Sequence, residues 1–260
     1  MSNVIDLTAL ATQLDEATLR HEAATQLTGQ VALDLATAYR VQAEGIRLRE
    51  QRGERRVGLK LGFTSRAKMQ QMGVDHLIWG ELTDAMQIEE GGSLDLSGLI
   101  HPRVEPELCF ITRKEINGPL SLAEAGLVLE GIAPALEIID SRYRDFRFTL
   151  EDVVADNCSS AKFVIGALRS PQQAIDNLGV VMNFNGRPVQ VGSSAAILGH
   201  PLRALVQIAS LLHQQERVLP AGSVILAGAA TAAEALRPGL HVSVDISGFG
   251  RTTFHTGGAR

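Results

Sequence analysis

Apolar residues recur with a helical period twice near the N-terminus. The first stretch covers residues 5–28; the second covers 32–52, where Leu33, Leu35, Tyr39, Val41 and Ile46 precede the charged segment RLREQRGERR. Gly53 is the expected stop of the second helix and closes a helical lobe over residues 1–53. From 54 to 260 the period is mostly that of strands. RVGLKLGF reads as a short strand, followed by a helix that Ser65 caps and Gly73 ends. Residues 104–113 and 133–140 read as strands, separated by a helix from 121 to about 130 that opens on the capping box Ser121–Glu124. VVMNFNGRPVQV sets Asn185-Gly186 between apolar runs, a hairpin signal. Pro201 opens a helix that presents Leu202, Leu205, Val206, Ala209 and Leu212 on one face. SVILAG, HVSVDIS and the end of GFGRTTF supply the last strands. Few βαβ alternations occur, so the expected fold class is α+β with a mixed or antiparallel sheet.

Length and charge narrow the function classes. A chain of 260 residues buries a substantial core. A formal net charge of −5 without a long basic run excludes nucleic acid and anionic membrane as natural partners. The N-terminal residues MSNVIDLTAL carry no secretory pattern and no apolar run reaches a membrane span, so a cytoplasmic protein with reduced Cys109 and Cys158 is expected. GFG lacks GxGxxG spacing and a following helix, which makes it a turn and not a nucleotide loop.

Three acidic residues then stand out. In VEPELCF, strand alternation puts Glu105 and Glu107 on one face and Pro106 on the other; the proline, lacking a donor, suits an edge or a bulge. A solvated face of an edge strand is the alternative for this pair. Glu137, within APALEIID, is a third carboxylate among apolar neighbours. Three carboxylates converging on one point repel unless protonated or bound to a cation, and an all-oxygen set suits Mg²⁺ or Mn²⁺ over zinc. In GLKLGF, Lys60 shares a face with Gly58 and Gly62, which leaves room for a ligand beside a point charge or proton-transfer group; a surface lysine is the alternative. Asp156, Asn157, Ser159 and Ser160 form a polar knot that either contacts a substrate or simply makes a turn. His101 and His200 each precede a proline, with no orienting partner in reach of the pattern, and read as structural or as supporting the site from behind; Ser-His-Asp catalysis is the alternative.

GLKLGFTSRAKMQQMGV, HPRVEPEL, PALEIIDSRY, VVADNCSS and LGHPL together resemble the hydratase and decarboxylase group of the fumarylacetoacetate hydrolase superfamily, over about residues 30–255. The resemblance implies a mixed β-sheet roll, with a divalent metal on Glu105, Glu107 and Glu137 and Lys60 in the active site. It implies action on a small 2-oxo dicarboxylic acid in meta-cleavage catabolism of aromatic compounds, as a homo-oligomer that can assemble with a 2-hydroxypentadienoate hydratase. Hydratases of the group carry an acid where this chain has Ile78 before Trp79-Gly80, and that favours decarboxylation of 2-oxohex-3-enedioate. Leu77, Ile78 and Trp79 are then expected to wall off water, with Asp156 and Ser160 on the substrate. A hydratase, an acylpyruvate hydrolase and a non-catalytic partner subunit are the alternatives.

Overall fold

A computed structural model describes residues 5–64 and 77–258; the expected cap Ser65 and stop Gly73 lie outside the described residues. Helix α1 (Leu7–Arg20) is capped by the Asp6 carboxylate, which accepts from the Ala9 amide at 3.0 Å. It ends at His21, in left-handed backbone, well short of the expected residue 28. The chain beyond is held in irregular conformation by distant partners instead: Ala24 bridges to Tyr143, and the Asp152 carboxylate takes both the amide and the hydroxyl of Thr28, at 3.0 and 2.7 Å. Helix α2 (Leu35–Gln51) starts at the cap Asp34 and stops before Gly53, whose φ of +98° is open to glycine.

The strands and remaining helices follow as β1 (Arg56–Gly62), β2 (Ile78–Thr83), β3 (Gln87–Ile88), β4 (Ser93–Asp95), β5 (Arg103–Thr112), α3 (Leu122–Ala125), β6 (Leu129–Ile139), α4 (Leu150–Ala155) and β7 (Ser160–Ile165). Then come β8 (Gly179–Phe184), β9 (Arg187–Ser193), α5 (Leu202–Gln214), β10 (Val224–Ala229), β11 (Glu234–Ala235), β12 (His241–Ile246) and β13 (Gly250–Gly257). The capping box at Ser121 is present, but α3 is a single turn running into a 3₁₀ segment. Leu129 is already in β6 and fully buried, so sheet pairing overrides the helical period there. The Asn185-Gly186 hairpin forms as expected, both residues at positive φ.

Two sheets carry the fold. The larger has the order β2-β1-β10-β5-β6-β7-β3, with β11 also on β5; the smaller has the order β4-β13-β12-β8-β9. The larger sheet is mixed, because β1 runs parallel to β10 and β3 parallel to β7. One of its faces, with Leu59, Leu108, Phe110 and Leu136, shares a core with Val242 and Phe254 of the smaller sheet and Leu205 and Ile208 of α5. Alternation sends Lys60, Glu105, Glu107 and Glu137 to the opposite face. Over one end of that second face lie α1, α2 and α4, whose core takes in Ile78, Val153 and Cys158.

Pro106 sits in a central strand, not on an edge. Its carbonyl accepts from Ala230, so its missing donor also faces β10, and there the ladder shifts register between Leu226 and Ala229. The bulge reading holds and the edge reading does not.

Candidate metal centre and active-site cleft

Glu105 pairs directly with Glu137 across β5 and β6, and Glu107 follows one step along the same face. One carboxylate oxygen from each lies within 4.8 Å of the others. Glu107 and Glu137 are buried and Glu105 is half-buried. Gly228, at the bulge, donates its amide to Glu107 Oε2 at 2.7 Å, since the displaced ladder leaves that N–H unclaimed. A side chain at Gly228 would run into Thr64, and its φ is +106°. Lys60 Nζ lies 3.1 Å from Glu137 Oε2 and donates to the Cys158 carbonyl at 3.2 Å.

Oε1 of Glu107 and Oε1 of Glu137 are buried and have no hydrogen-bond partner. Burial raises the pKa of both carboxyls, and neighbouring carboxylates push the same way, while Lys60 opposes them. Burial works against the Lys60 ammonium, yet Glu137 and the nearby acids outweigh it and hold the charge. One lysine cannot balance both Glu107 and Glu137. Orphaned oxygen acceptors in an all-carboxylate set fit a hard divalent cation, whose charge would complete the balance.

The lysine and its cover are set by an unusual turn. Asn157, Cys158 and Ser159 all adopt positive φ, between 50° and 58°, at a cost of roughly 1 kcal/mol or more each. The turn persists because its side chains lock it. The Asn157 amide accepts from the Glu81 N–H at 2.7 Å and donates to the Glu81 carbonyl at 2.9 Å, acting as one more strand residue beside β2. Gly80 lets this happen, since a Cβ there would come within 2.6 Å of the Asn157 carbonyl. Asp156 pairs with Arg142, whose guanidinium also donates to the Asp140 and Ser160 carbonyls. Burial pushes the Asp156 carboxyl up to about 6 against the pull of Arg142, and burial likewise pushes the Cys158 thiol up to about 12. Gln42 ties α2 to this region, donating to the Trp79 and Val154 carbonyls at 3.0 and 2.9 Å.

A cleft opens beside this centre. Lys60 and Glu105 lie at its polar end, with Ile78, Phe146, Phe148 and Val153 among its apolar walls. Ser159 lines it too, and its buried hydroxyl has no partner.

The residues expected to contact substrate divide. Ile78 is a wall. Leu77, half-buried, precedes β2 outside the cleft lining, and Trp79 faces the opposite side, stacked edge-on to Tyr39 at 4.0 Å, because successive strand residues alternate. Asp156 is consumed by Arg142, and the buried Ser160 hydroxyl points at the Met86 sulfur, 3.9 Å away. Nor do the glycines beside Lys60 make room for a ligand: the Val224 backbone fills the space at Gly58 and the Ile78 side chain that at Gly62. Of the polar knot, Ser159 is the hydroxyl that reaches the cleft, whereas Phe146 and Phe148 carried no signal in the sequence. His101 stacks on Phe146, its ring centroid 5.1 Å away, outside the cleft lining. Cys109 and Cys158 are both free. No helix among the described residues is long and apolar enough to cross a membrane.

Comparison with known proteins gives this geometry its relatives. The chain is 54% identical over 98% of its length, and 99% of the relative's, to a 4-oxalocrotonate decarboxylase of a Pseudomonas species. It is 34% identical to 2-keto-4-pentenoate hydratase of Paraburkholderia xenovorans, covering 86% of this chain and 85% of that one. The structure of 4-oxalocrotonate decarboxylase from Pseudomonas putida G7 with magnesium and adipate superposes with a TM-score of 0.93 at 39% identity, covering 96% and 97% of the two chains. Residues 88–255 match the fumarylacetoacetate (FAA) hydrolase C-terminal family. The strands that bear the three carboxylates lie within that span, and the chain belongs to the fumarylacetoacetate hydrolase family.

Proposed function

We propose that the chain decarboxylates 2-oxohex-3-enedioate, the keto form of 4-oxalocrotonate, to 2-hydroxypenta-2,4-dienoate. The observation that carries this reading is a cluster of buried, partnerless carboxylate oxygens opening on a cleft whose wall at position 78 is hydrocarbon. The relatives named above support it. Glu105, Glu107 and Glu137 would hold Mg²⁺ or Mn²⁺, which supplies Lewis-acid polarisation of a 2-oxo acid when bound.

The chain's own residues do the rest. Lys60, held charged between Glu137 and the Cys158 carbonyl, orients the keto-acid end through its positive charge. The Ser159 hydroxyl donates to a substrate oxygen, which answers its own lack of a partner. In the reaction the C5–C6 bond breaks and C6 leaves as CO₂. The electron pair forms the C4–C5 double bond, the C3–C4 pair moves to C2–C3, and the ketone oxygen takes the charge and then a proton. Ile78, Phe148 and Val153 keep water from the dienol, whereas a hydratase needs a group there to direct water.

The reading extends to a homo-oligomer that passes its product to a hydratase in a complex, and light scattering of the two proteins mixed and apart tests that extension. The activity is tested by incubating the protein with Mg²⁺ and 2-oxohex-3-enedioate while following CO₂ and diene absorbance. Release of one CO₂ per diene is expected; a water adduct without CO₂ overturns the proposal in favour of a hydratase.

A further inference from the structure

We propose that Arg103 determines specificity by receiving the distal carboxylate of the substrate, so that the cleft prefers dicarboxylic over monocarboxylic 2-oxo acids. This rests on the reading of the cleft as a 2-oxo acid site. Arg103 lies on the β5 face that carries Glu105 and Glu107, directly opposite Ile139, which lines the cleft. It is exposed and lies outside the lining itself, beside the wall residue Phe146. Among the described residues its guanidinium has no carboxylate partner.

What holds it is an aromatic ring. The Arg103 guanidinium carbon sits 4.5 Å from the centroid of Phe146, a residue of the cleft wall. Asp145 and Phe146 both have φ of +58°, a backbone that non-glycine residues avoid. That strained turn is pinned by the Arg144 amide on the Ala24 carbonyl and by the Phe146 amide on the Tyr143 carbonyl. The structure therefore sustains local strain that sets a flat platform under an otherwise unpartnered cation at the mouth.

Distance fits the assignment. Two residues of strand separate Arg103 from Glu105, about 7 Å of rise. The five carbon–carbon bonds of a hexanedioate span about 6 Å end to end. A six-carbon diacid with its keto-acid end at the carboxylate cluster thus brings its far carboxylate level with Arg103, whereas a monoacid leaves the guanidinium without a partner.

The carboxylate that Arg103 would hold is the one that departs as CO₂. Its charge is lost along the reaction path, so the contact stabilises bound substrate more than the transition state. Arg103 should consequently act on KM and not assist kcat.

The test compares the Mg²⁺-loaded protein with its Arg103→Leu and Arg103→Lys variants by calorimetry. The ligands are 2-oxoadipate and 2-oxohexanoate, of equal length but with and without the distal carboxylate. Arg103→Leu should weaken the diacid about tenfold and leave the monoacid unchanged, with Arg103→Lys between. In turnover of 2-oxohex-3-enedioate, Arg103→Leu should raise KM about tenfold with kcat equal or higher. Equal losses for both ligands, or an undiminished diacid preference in Arg103→Leu, overturns the assignment. If the wild-type protein releases no CO₂, the decarboxylase reading fails, while the two-ligand comparison still decides the role of Arg103.

Discussion

Arg142 with Asp156, on one side of the Asn157–Ser159 turn, and Lys60 with Glu137, on the other, are both buried cation–carboxylate pairs. At the first, the hydrogen-bonding groups find protein: the Asp156 carboxylate takes the Arg142 guanidinium and its backbone amide, and the remaining guanidinium donors reach the Asp140, Asp156 and Ser160 carbonyls. At the second, Lys60 is satisfied but Glu137 and Glu107 keep oxygens with no partner. Burial is equal and residue types are nearly the same. What separates a structural charge cluster from a functional one is the unsatisfied remainder, and removal of one charged member should therefore have opposite consequences in the two places.

The largest effect is expected at the open cluster. Glu107→Gln should lower metal-dependent turnover by roughly a thousandfold or more and weaken Mg²⁺ binding in calorimetry. The amide oxygen can still accept from Gly228, and one buried charge is gone, so the metal-free melting temperature should not fall. A drop in melting temperature of the size seen for a core mutation would mean that this cluster, too, is structural.

Arg142→Met inverts the outcome. It strands the Asp156 carboxylate without its partner, at a cost of about 3–5 kcal/mol in denaturant unfolding. Metal binding by the folded protein should survive, and its loss in step with stability would merge the two clusters into one.

The third prediction uses pH. Glu107 and Glu137 have native pKa values raised above their unfolded ones, so the native state binds more protons and its stability falls as pH rises from the unfolded carboxylate range through the raised native values. Lys60 shifts upward as well, but its contribution is retained throughout that range and lost only at strongly alkaline pH. Chelated protein should accordingly melt higher at pH 5.5 than at pH 8 as far as these groups are concerned. Mg²⁺ should raise the melting temperature more at pH 8, and scanning calorimetry at both values with and without EDTA reads the difference.

Smallest is Ser159→Ala, which removes one neutral donor and should raise KM about five- to tenfold with little change in stability. Ser160→Ala is its control, because that hydroxyl faces Met86 and not the cleft; a larger effect on KM at Ser160 would reverse the assignment of the pair.

The open cluster was legible before the closed one. Strand alternation alone puts Glu105 and Glu107 on one face, and an acid inside the apolar run APALEIID marks Glu137. Lys60 announced itself by the absence of competing side chains, although chain and not ligand fills the gaps at Gly58 and Gly62. Asp156 and Ser160 were assigned to the substrate wrongly and Ser159 lines the cleft instead, because the direction of the segment depends on three successive left-handed residues, held by partners 14 to 76 positions away in sequence. No local period encodes that. Phe146 and Phe148 were likewise invisible, their alternation in RDFRF being indistinguishable from any exposed strand until the turn at Asp145 is known.

Pro106 has a consequence for how such a site can diversify. It removes a donor on the side of β10 where the ladder is displaced, and that displacement frees the Gly228 amide to hold Glu107. Part of the proposed metal cradle is thereby written in main chain, which side-chain substitution leaves intact. Walls such as Ile78 and Phe148, and the rim at Arg103, are free to vary around a fixed cradle. Protein engineers seeking a new reaction on this scaffold should randomise the walls and leave the proline and its bulge alone.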